Sequence, residues 1–344
     1  MCLATLNPGD TLLVPANAHR SLWNGLTLAD AQPVFYPLDW DPQLSLFHGP
    51  TPTALELALK ANPSCKAVYL THPNFYGFGL DMQALIQLAH SHGKIVLVDQ
   101  AWGPHLAFHR ELPPCAVSCG ADLVVQSTHK LASAMSQGAI LHLKGARVDR
   151  QRLRQALALL LTTSPSTLIV ASIDVARRQL ALNGPALLEQ TLELADAARD
   201  AIGRLGFEVY SPPDRTRLLF SGASLGWSGT QIEAQLRQAS AVQLELSDPR
   251  LCLGLLTIGH RRSDVDALLS GLSKIAELPP RQPLDLGWMQ TLGEMGGGSD
   301  LLLTPRQAFL GLKRTCVFEE AAGQIADLIC GVDAGPADQA EWGQ

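Results

Sequence analysis

The sequence predicts an α/β protein. A large unit with a mostly parallel sheet and helices on both faces should be followed by a small α+β unit. Three observations lead there. Short, nearly continuous apolar runs alternate with segments whose apolar residues recur at helical spacing. Runs without polar alternation suit strands buried on both faces, which is the condition of a parallel sheet. After a largely helical stretch that begins near Val148, shorter strand and helix segments follow in a different rhythm.

Thr11–Val14 is the first strand candidate, entered from the turn signature Pro8-Gly9-Asp10, and Pro33–Tyr36 is the next. Ala54–Leu59 has helical spacing, Ala67–Leu70 returns to strand, and Met82–Ala89 reads as a helix stopped at His92-Gly93. Glycine suits that stop because it accepts the left-handed conformation at a helix C-terminus. Ile95–Val98, closed by Asp99, reads as a buried strand, as does Leu123–Gln126, and Ala139–Leu143 is a further strand. Helical pattern then fills Val148 to Leu182, interrupted at Thr162-Thr163-Ser164-Pro165, and a long helix is expected from Ala186 to Leu205. Strands at Phe207–Tyr210 and Arg217–Phe220, a helix at Thr230–Gln238, strands near Val242–Leu246 and Leu251–Ile258, and a helix at Ser263–Ala276 complete the small unit. The expected organisation is 1–183 for the large unit, 184–278 for the small one and 279–344 for a linker and C-terminal segment. Gly296-Gly297-Gly298-Ser299 lacks the Gly-Lys-Ser/Thr of a phosphate loop and reads as a flexible connection.

Composition narrows the function classes. With 47% hydrophobic and 17% charged residues, the chain can fill a large core and is not a disordered one. A net charge of −6 gives no field that favours nucleic acid or an anionic membrane surface. No apolar run reaches the roughly 20 residues needed to span a bilayer. The seven cysteines are scattered, and Cys115 and Cys119 have no second ligand cluster, so no metal is expected. An odd cysteine count without a secretory signal points to the cytoplasm.

Asp99 and Lys130 carry the chemistry. Asp99 ends one strand; Lys130 stands in the loop after the next, preceded by Ser127, Thr128 and His129. Ligands of open parallel sheets sit outside the carboxyl ends of the strands, so the topology alone puts both residues on one rim. An acid and a lysine so placed can hold pyridoxal phosphate (PLP). The lysine makes the covalent link, the acid keeps the pyridine nitrogen protonated, and the hydroxyl and imidazole before the lysine grip the phosphate. The alternative is a solvated lysine beside a strand.

Several blocks in order resemble the bacterial ornithine/lysine/arginine decarboxylases, PLP enzymes of the aspartate-aminotransferase-like fold. They are Asn17-Ala18-His19-Arg20-Ser21, Thr71–Gly77, Asp99-Gln100-Ala101-Trp102-Gly103-Pro104-His105, Ser127-Thr128-His129-Lys130 with His142–Gly145 beyond it, and Thr162-Thr163-Ser164-Pro165. Weaker similarity continues through Asp248-Pro249 and Leu256–Gly259 to Leu303–Arg306.

The resemblance implies decarboxylation of a small-molecule basic amino acid (arginine, lysine or ornithine) by a PLP enzyme acting as a homodimer or larger assembly. It assigns the Schiff base and proton movement at the alpha carbon to Lys130, and the pyridinium partner to Asp99. His19 would stack on the ring and Ala101 would cover its other face. Ser127 and His129 would hold the phosphate, Trp102 would pack near the cofactor, and Thr162 would reach a neighbouring subunit's phosphate. Glu245 and Asp248 are candidates for the distal cation of the substrate. Transamination on the same fold is a second reading, with Arg217 or Arg250 gripping a carboxylate.

Three positions depart from the family pattern: Arg20 for a lysine, Gln100 and Asn74. The family also carries a Gly-Ser/Thr-Ser phosphate loop before the block that matches Met1–Pro8, and a Pro-rich segment where Cys330-Gly331-Val332 stands. From this the sequence reading expects either a longer active protein or a non-catalytic partner of a full-length relative.

Overall fold

The computed structural model describes residues 1–279, 281–289 and 303–311 of the 344-residue chain. Helix α1 (Cys2–Thr5) leads into β1 (Thr11–Val14), α2 (Arg20–Ala29) and β2 (Gln32–Phe35). A hairpin, β3 (Trp40–Asp41) and β4 (Leu46–Phe47), precedes α3 (Pro52–Ala61), β5 (Ala67–Thr71), α4 (Met82–Ser91) and β6 (Ile95–Asp99). Then come α5 (Ala116–Cys119), β7 (Leu123–Gln126), α6 (Thr128–Leu131), β8 (Ile140–Leu143) and α7 (Arg150–Leu160). The six strands run in the order β2-β1-β5-β6-β7-β8. All neighbours are parallel except β7 and β8, which pair antiparallel.

The central strands β1, β5, β6 and β7 are buried on both faces, the edge strands β2 and β8 only partly, and the pleat sorts the side chains into two cores. Leu13, Val68, Leu70, Val96, Val98 and Val124 face one way, against Leu55 and Leu59 of α3 and Leu85 and Ile86 of α4. Leu12, Val14, Ala67, Tyr69, Leu97 and Leu123 face the other, against α1 and Leu22, Trp23 and Leu26 of α2. This alternation is the period-2 geometry of a strand, and both faces read as apolar because both are covered.

Local signals fix the helix ends. Thr51 caps α3 by accepting from Ala54 N, with Pro52 following, and Asp81 caps α4 by accepting from Ala84 N. Gly93 takes φ +70° just past α4, as expected for a residue in the left-handed region.

The small unit starts with α8 (Thr167–Arg204) and continues through β9 (Glu208–Tyr210), β10 (Arg217–Ser221), α9 (Gly229–Ser240), β11 (Leu246–Ser247), β12 (Leu251–Leu255) and α10 (Arg262–Ala276). Its sheet is antiparallel, in the order β11-β12-β10-β9. One core joins Ala195, Ala198 and Ile202 of α8 to Phe220, Ile232 and Leu272. Helix α11 (Pro305–Leu310) packs on α2.

Several elements differ from the sequence reading. Helix α2 was not anticipated, because Gly25 interrupts its apolar spacing. That glycine is needed where α1 crosses, since a Cβ there would come within 2.9 Å of Cys2 Sγ. The long helix begins at Thr167 rather than Ala186 and runs unbroken through Pro185 and past residues 183–184. Its packed face outweighs the lost N–H, although proline in isolation reads as a stop. Lys130 lies on the one-turn helix α6, not in a loop, and the strand expected at Val242–Leu246 shrinks to Leu246–Ser247. The Gly296–Ser299 cluster, Cys330 and the C-terminal tail lie outside the described residues. Among the described residues no helix is long and apolar enough to cross a membrane, and no cluster suits a metal ion.

Candidate active site

Strands β1, β5, β6 and β7 point the same way, so the segments that follow them share one rim. His19 follows β1, the loop Thr71–Gly77 follows β5, Asp99–His105 follows β6 and Ser127–Lys130 follows β7. Asp99 sits two residues beyond Leu97, on the same face of the sheet as Tyr69. Its carboxylate is buried. Oδ2 accepts from the Tyr69 hydroxyl at 3.1 Å and Oδ1 from Ala101 N at 2.9 Å. Tyr69 has no place in the sequence reading. The signal was there, because a tyrosine inside a fully apolar strand needs a partner for its hydroxyl.

Lys130 is half-buried, with Nζ 3.9 Å from the centre of the Trp102 ring. Burial pulls its ammonium below the ordinary lysine range. Asp99 and Glu245 act against that pull, and the Arg217 cation adds to it. Lys130 thus rests against Trp102, within electrostatic range of Asp99. Ser127 begins α6 without making a side-chain capping bond. His129 Nδ1 donates to the Gly138 carbonyl at 2.8 Å, which fixes the ring. The loop after the lysine holds two non-glycine residues in the left-handed region, Ser133 (φ +67°) and Gln137 (φ +73°). Such conformations cost on the order of 1 kcal/mol or more each and persist only where the surroundings hold them. Ser172 of α8 is one such hold, accepting from Met135 N at 3.0 Å.

Arg217, at the start of β10, is fully buried and reaches in from the small unit. It donates to the Thr216 hydroxyl at 3.0 Å, to the Trp102 carbonyl at 3.2 Å and to the Phe75 carbonyl at 3.4 Å, and pairs with Asp214 at 3.3 Å. Burial works against the Asp214 carboxylate, but Arg217 and His105 beside it hold the group well below the usual carboxylate range. Sequence reasoning weighed Arg217 only as a carboxylate grip and missed Asp214 altogether.

His19 and Thr162 have local hydrogen bonds. His19 caps α2, with Nδ1 2.9 Å from Ser21 Oγ, and is exposed. Thr162 Oγ1 accepts from Ser164 N at 3.1 Å in the exposed segment between α7 and α8. The two distal-cation candidates separate. Asp248 Oδ1 closes a turn by accepting from Arg250 N at 2.7 Å and Leu251 N at 2.6 Å. Glu245 lies within electrostatic range of Lys130 and Arg217. Burial raises its carboxyl, and those two cations draw it back.

Residues 1–213, which hold this rim, match the family described as Orn/Lys/Arg decarboxylase, major domain. The chain belongs to this family. An arginine decarboxylase of Bacillus cereus is 37% identical over 341 residues, covering 96% of this chain and 74% of that protein. The solved E. coli constitutive lysine decarboxylase superposes with TM-score 0.70 at 20% identity, covering 90% of this chain. This member of the Orn/Lys/Arg decarboxylase family spans about half of that protein's length (56%). A structure of SPT with PLP matches at TM-score 0.62 and 17% identity, over 79% of this chain and 68% of that one. The fold of the Orn/Lys/Arg decarboxylase family member is thus that of the PLP-dependent fold type I enzymes.

Proposed function

We propose that this chain decarboxylates a basic amino acid, arginine before lysine or ornithine, with PLP as cofactor. The observation that carries the reading is Lys130, packed on Trp102 and within electrostatic range of the buried Asp99 carboxylate, at the C-terminal rim of a parallel sheet. Several relatives that are a third identical or more are named arginine decarboxylases. Those named lysine decarboxylases match less of the chain, at 25–28% identity.

The residues fit PLP. The hydrogen-bond donors to Asp99 found here, Tyr69 and the Ala101 amide, are both neutral, so its charge is still available to a cationic ring nitrogen. The hydroxyls of Thr71 and Thr128 are buried on this rim with no hydrogen-bond partner. When bound, the cofactor supplies an electron sink at the substrate's alpha carbon. Lys130 would anchor it covalently and then move a proton at that carbon; an amine drawn toward neutrality by burial suits both tasks. Asp99 would hold the proton on the pyridine nitrogen. Ser127 and His129 would bind the phosphate, His19 and Ala101 would cover the two ring faces, and Trp102 would line the site. Thr162 would complete the phosphate site of a second copy in a homodimer. Glu245, rather than the turn-closing Asp248, would face the distal cation of the substrate.

Transamination needs a carboxylate-gripping arginine. Arg217 is committed to Asp214, Thr216 and two carbonyls, and Arg250 donates to the Gln43 carbonyl, which favours decarboxylation. The test is turnover of arginine, lysine and ornithine by protein loaded with PLP. Carbon dioxide should be released without a keto acid, and borohydride should leave the cofactor's mass on the Lys130 peptide. Keto-acid formation, or a label elsewhere, would overturn the reading.

A further inference from the structure

We propose that Arg217 is a positioning residue: from the small unit it fixes the Trp102 floor on which Lys130 rests. This rests on the decarboxylase reading for its kinetic consequence, though not for its geometry. The turn Asp214–Arg217 ties down both rim loops. Arg217 binds the carbonyl of Phe75 in the loop after β5 and that of Trp102 in the loop after β6. Asp214 binds the same pair of loops from its own side. Its backbone N donates to the Gly77 carbonyl at 3.0 Å, and Oδ1 lies 3.2 Å from His105 Nε2.

The tied loops hold the ring. Phe75 meets Trp102 edge-on, with centroids 4.8 Å apart, and the Arg217 guanidinium carbon lies 5.4 Å from the Trp102 centroid. Space for the strut is made by Gly77. At φ +93° it has no Cβ, and one added there would stand 2.6 Å from Arg217 Cγ. A guanidinium is required because three acceptors and a carboxylate surround it in different directions, which an ammonium on a flexible stem cannot all reach. Arg217 touches neither the amine of Lys130 nor, in this reading, the substrate. It acts through Trp102 and through its charge, which the Lys130 amine senses.

The experiment compares Arg217→Lys, the double variant Asp214→Asn/Arg217→Gln and Gly77→Ala, which crowds the strut without altering a charge. Each is tested for folding by thermal melting. Cofactor-free protein is then labelled with an amine-reactive reagent across pH, and labelling is read by peptide mass at Lys130, with Lys60 and Lys94 as surface references. In the folded variants the Lys130 midpoint should move, upward in the neutral double variant because a neighbouring cation is gone, while the references stay. In loaded protein, kcat for arginine should fall about tenfold or more, with KM changed less than twofold. Unchanged Lys130 labelling in a folded variant overturns the inference, even if its melting temperature drops. Labelling needs neither cofactor nor turnover. A parent protein that releases no carbon dioxide therefore counts against the decarboxylase reading alone.

Discussion

The Tyr69 hydroxyl donates to Asp99 Oδ2 at 3.1 Å, reaching diagonally across the β5–β6 pair, where Tyr69 is in register with Leu97 and Thr71 with Asp99. Both groups are buried, and burial and the Asp99 charge push the phenol well above its ordinary range. Tyr69→Phe should leave one carboxylate oxygen without its donor, at a cost of about 1–3 kcal/mol. Thermal melting should show a loss of a few degrees. The substitution keeps the Asp99 carboxylate and its bond from Ala101 N, so the partner for the pyridine nitrogen stays in place. Retained PLP binding in absorbance titrations is the expected result.

Removing either chemical group should be far more severe. Lys130→Ala should abolish borohydride-stable cofactor attachment and reduce carbon dioxide release to background. Asp99→Ala should weaken PLP binding by roughly 10- to 100-fold, corresponding to about 1.5–3 kcal/mol for a lost bond to a charged group. Equilibrium dialysis of the cofactor against each variant separates these outcomes.

His72 supplies a pH signature. It is fully buried, accepts from Leu80 N at Nδ1 and lies 2.9 Å from the Pro114 carbonyl at Nε2. Burial pushes its imidazole down to about 4, with the Pro114 bond and the Asp214 charge working the other way. An unfolded histidine titrates near ~6.5, so between these values the unfolded chain holds a proton that the folded chain lacks. Stability from this group is therefore full above pH ~6.5 and declines as pH falls toward 4. The loss amounts to about 3 kcal/mol, at roughly 1.4 kcal/mol per pH unit. Melting curves from pH 7.5 to 4.5 should show this slope in the parent and a flatter one in His72→Gln.

The segment around Thr162 should be an interface. Leu159, Leu160 and Leu161 are 75%, 56% and 62% exposed, and Leu168 and Val175, seven residues apart on one face of α8, are exposed as well. Three consecutive exposed leucines are the kind of apolar surface that association covers. Leu159→Glu/Leu161→Glu should move the protein to monomer in sedimentation velocity and cost most of the activity, since Thr162 would then no longer serve a second copy. An unchanged sedimentation coefficient would count against the dimer.

The apolar strands, the glycine stop after α4, the family blocks and the placing of Asp99 and Lys130 on one rim were legible in the residues alone. Burial on both faces writes itself as continuous apolar runs, and a parallel sheet brings the ends of neighbouring strands to one rim whatever the loops do. Other features left no local trace. Helix α2 was hidden by Gly25, whose reason is the crossing of α1, and Pro185 gave no hint that α8 continues through it. The partnership of Arg217 with Trp102 and Phe75 joins residues more than a hundred positions apart. Periodicity reports which face of an element is buried, but it carries no information about which distant side chain arrives there. That was decided only when the small unit folded back against the rim.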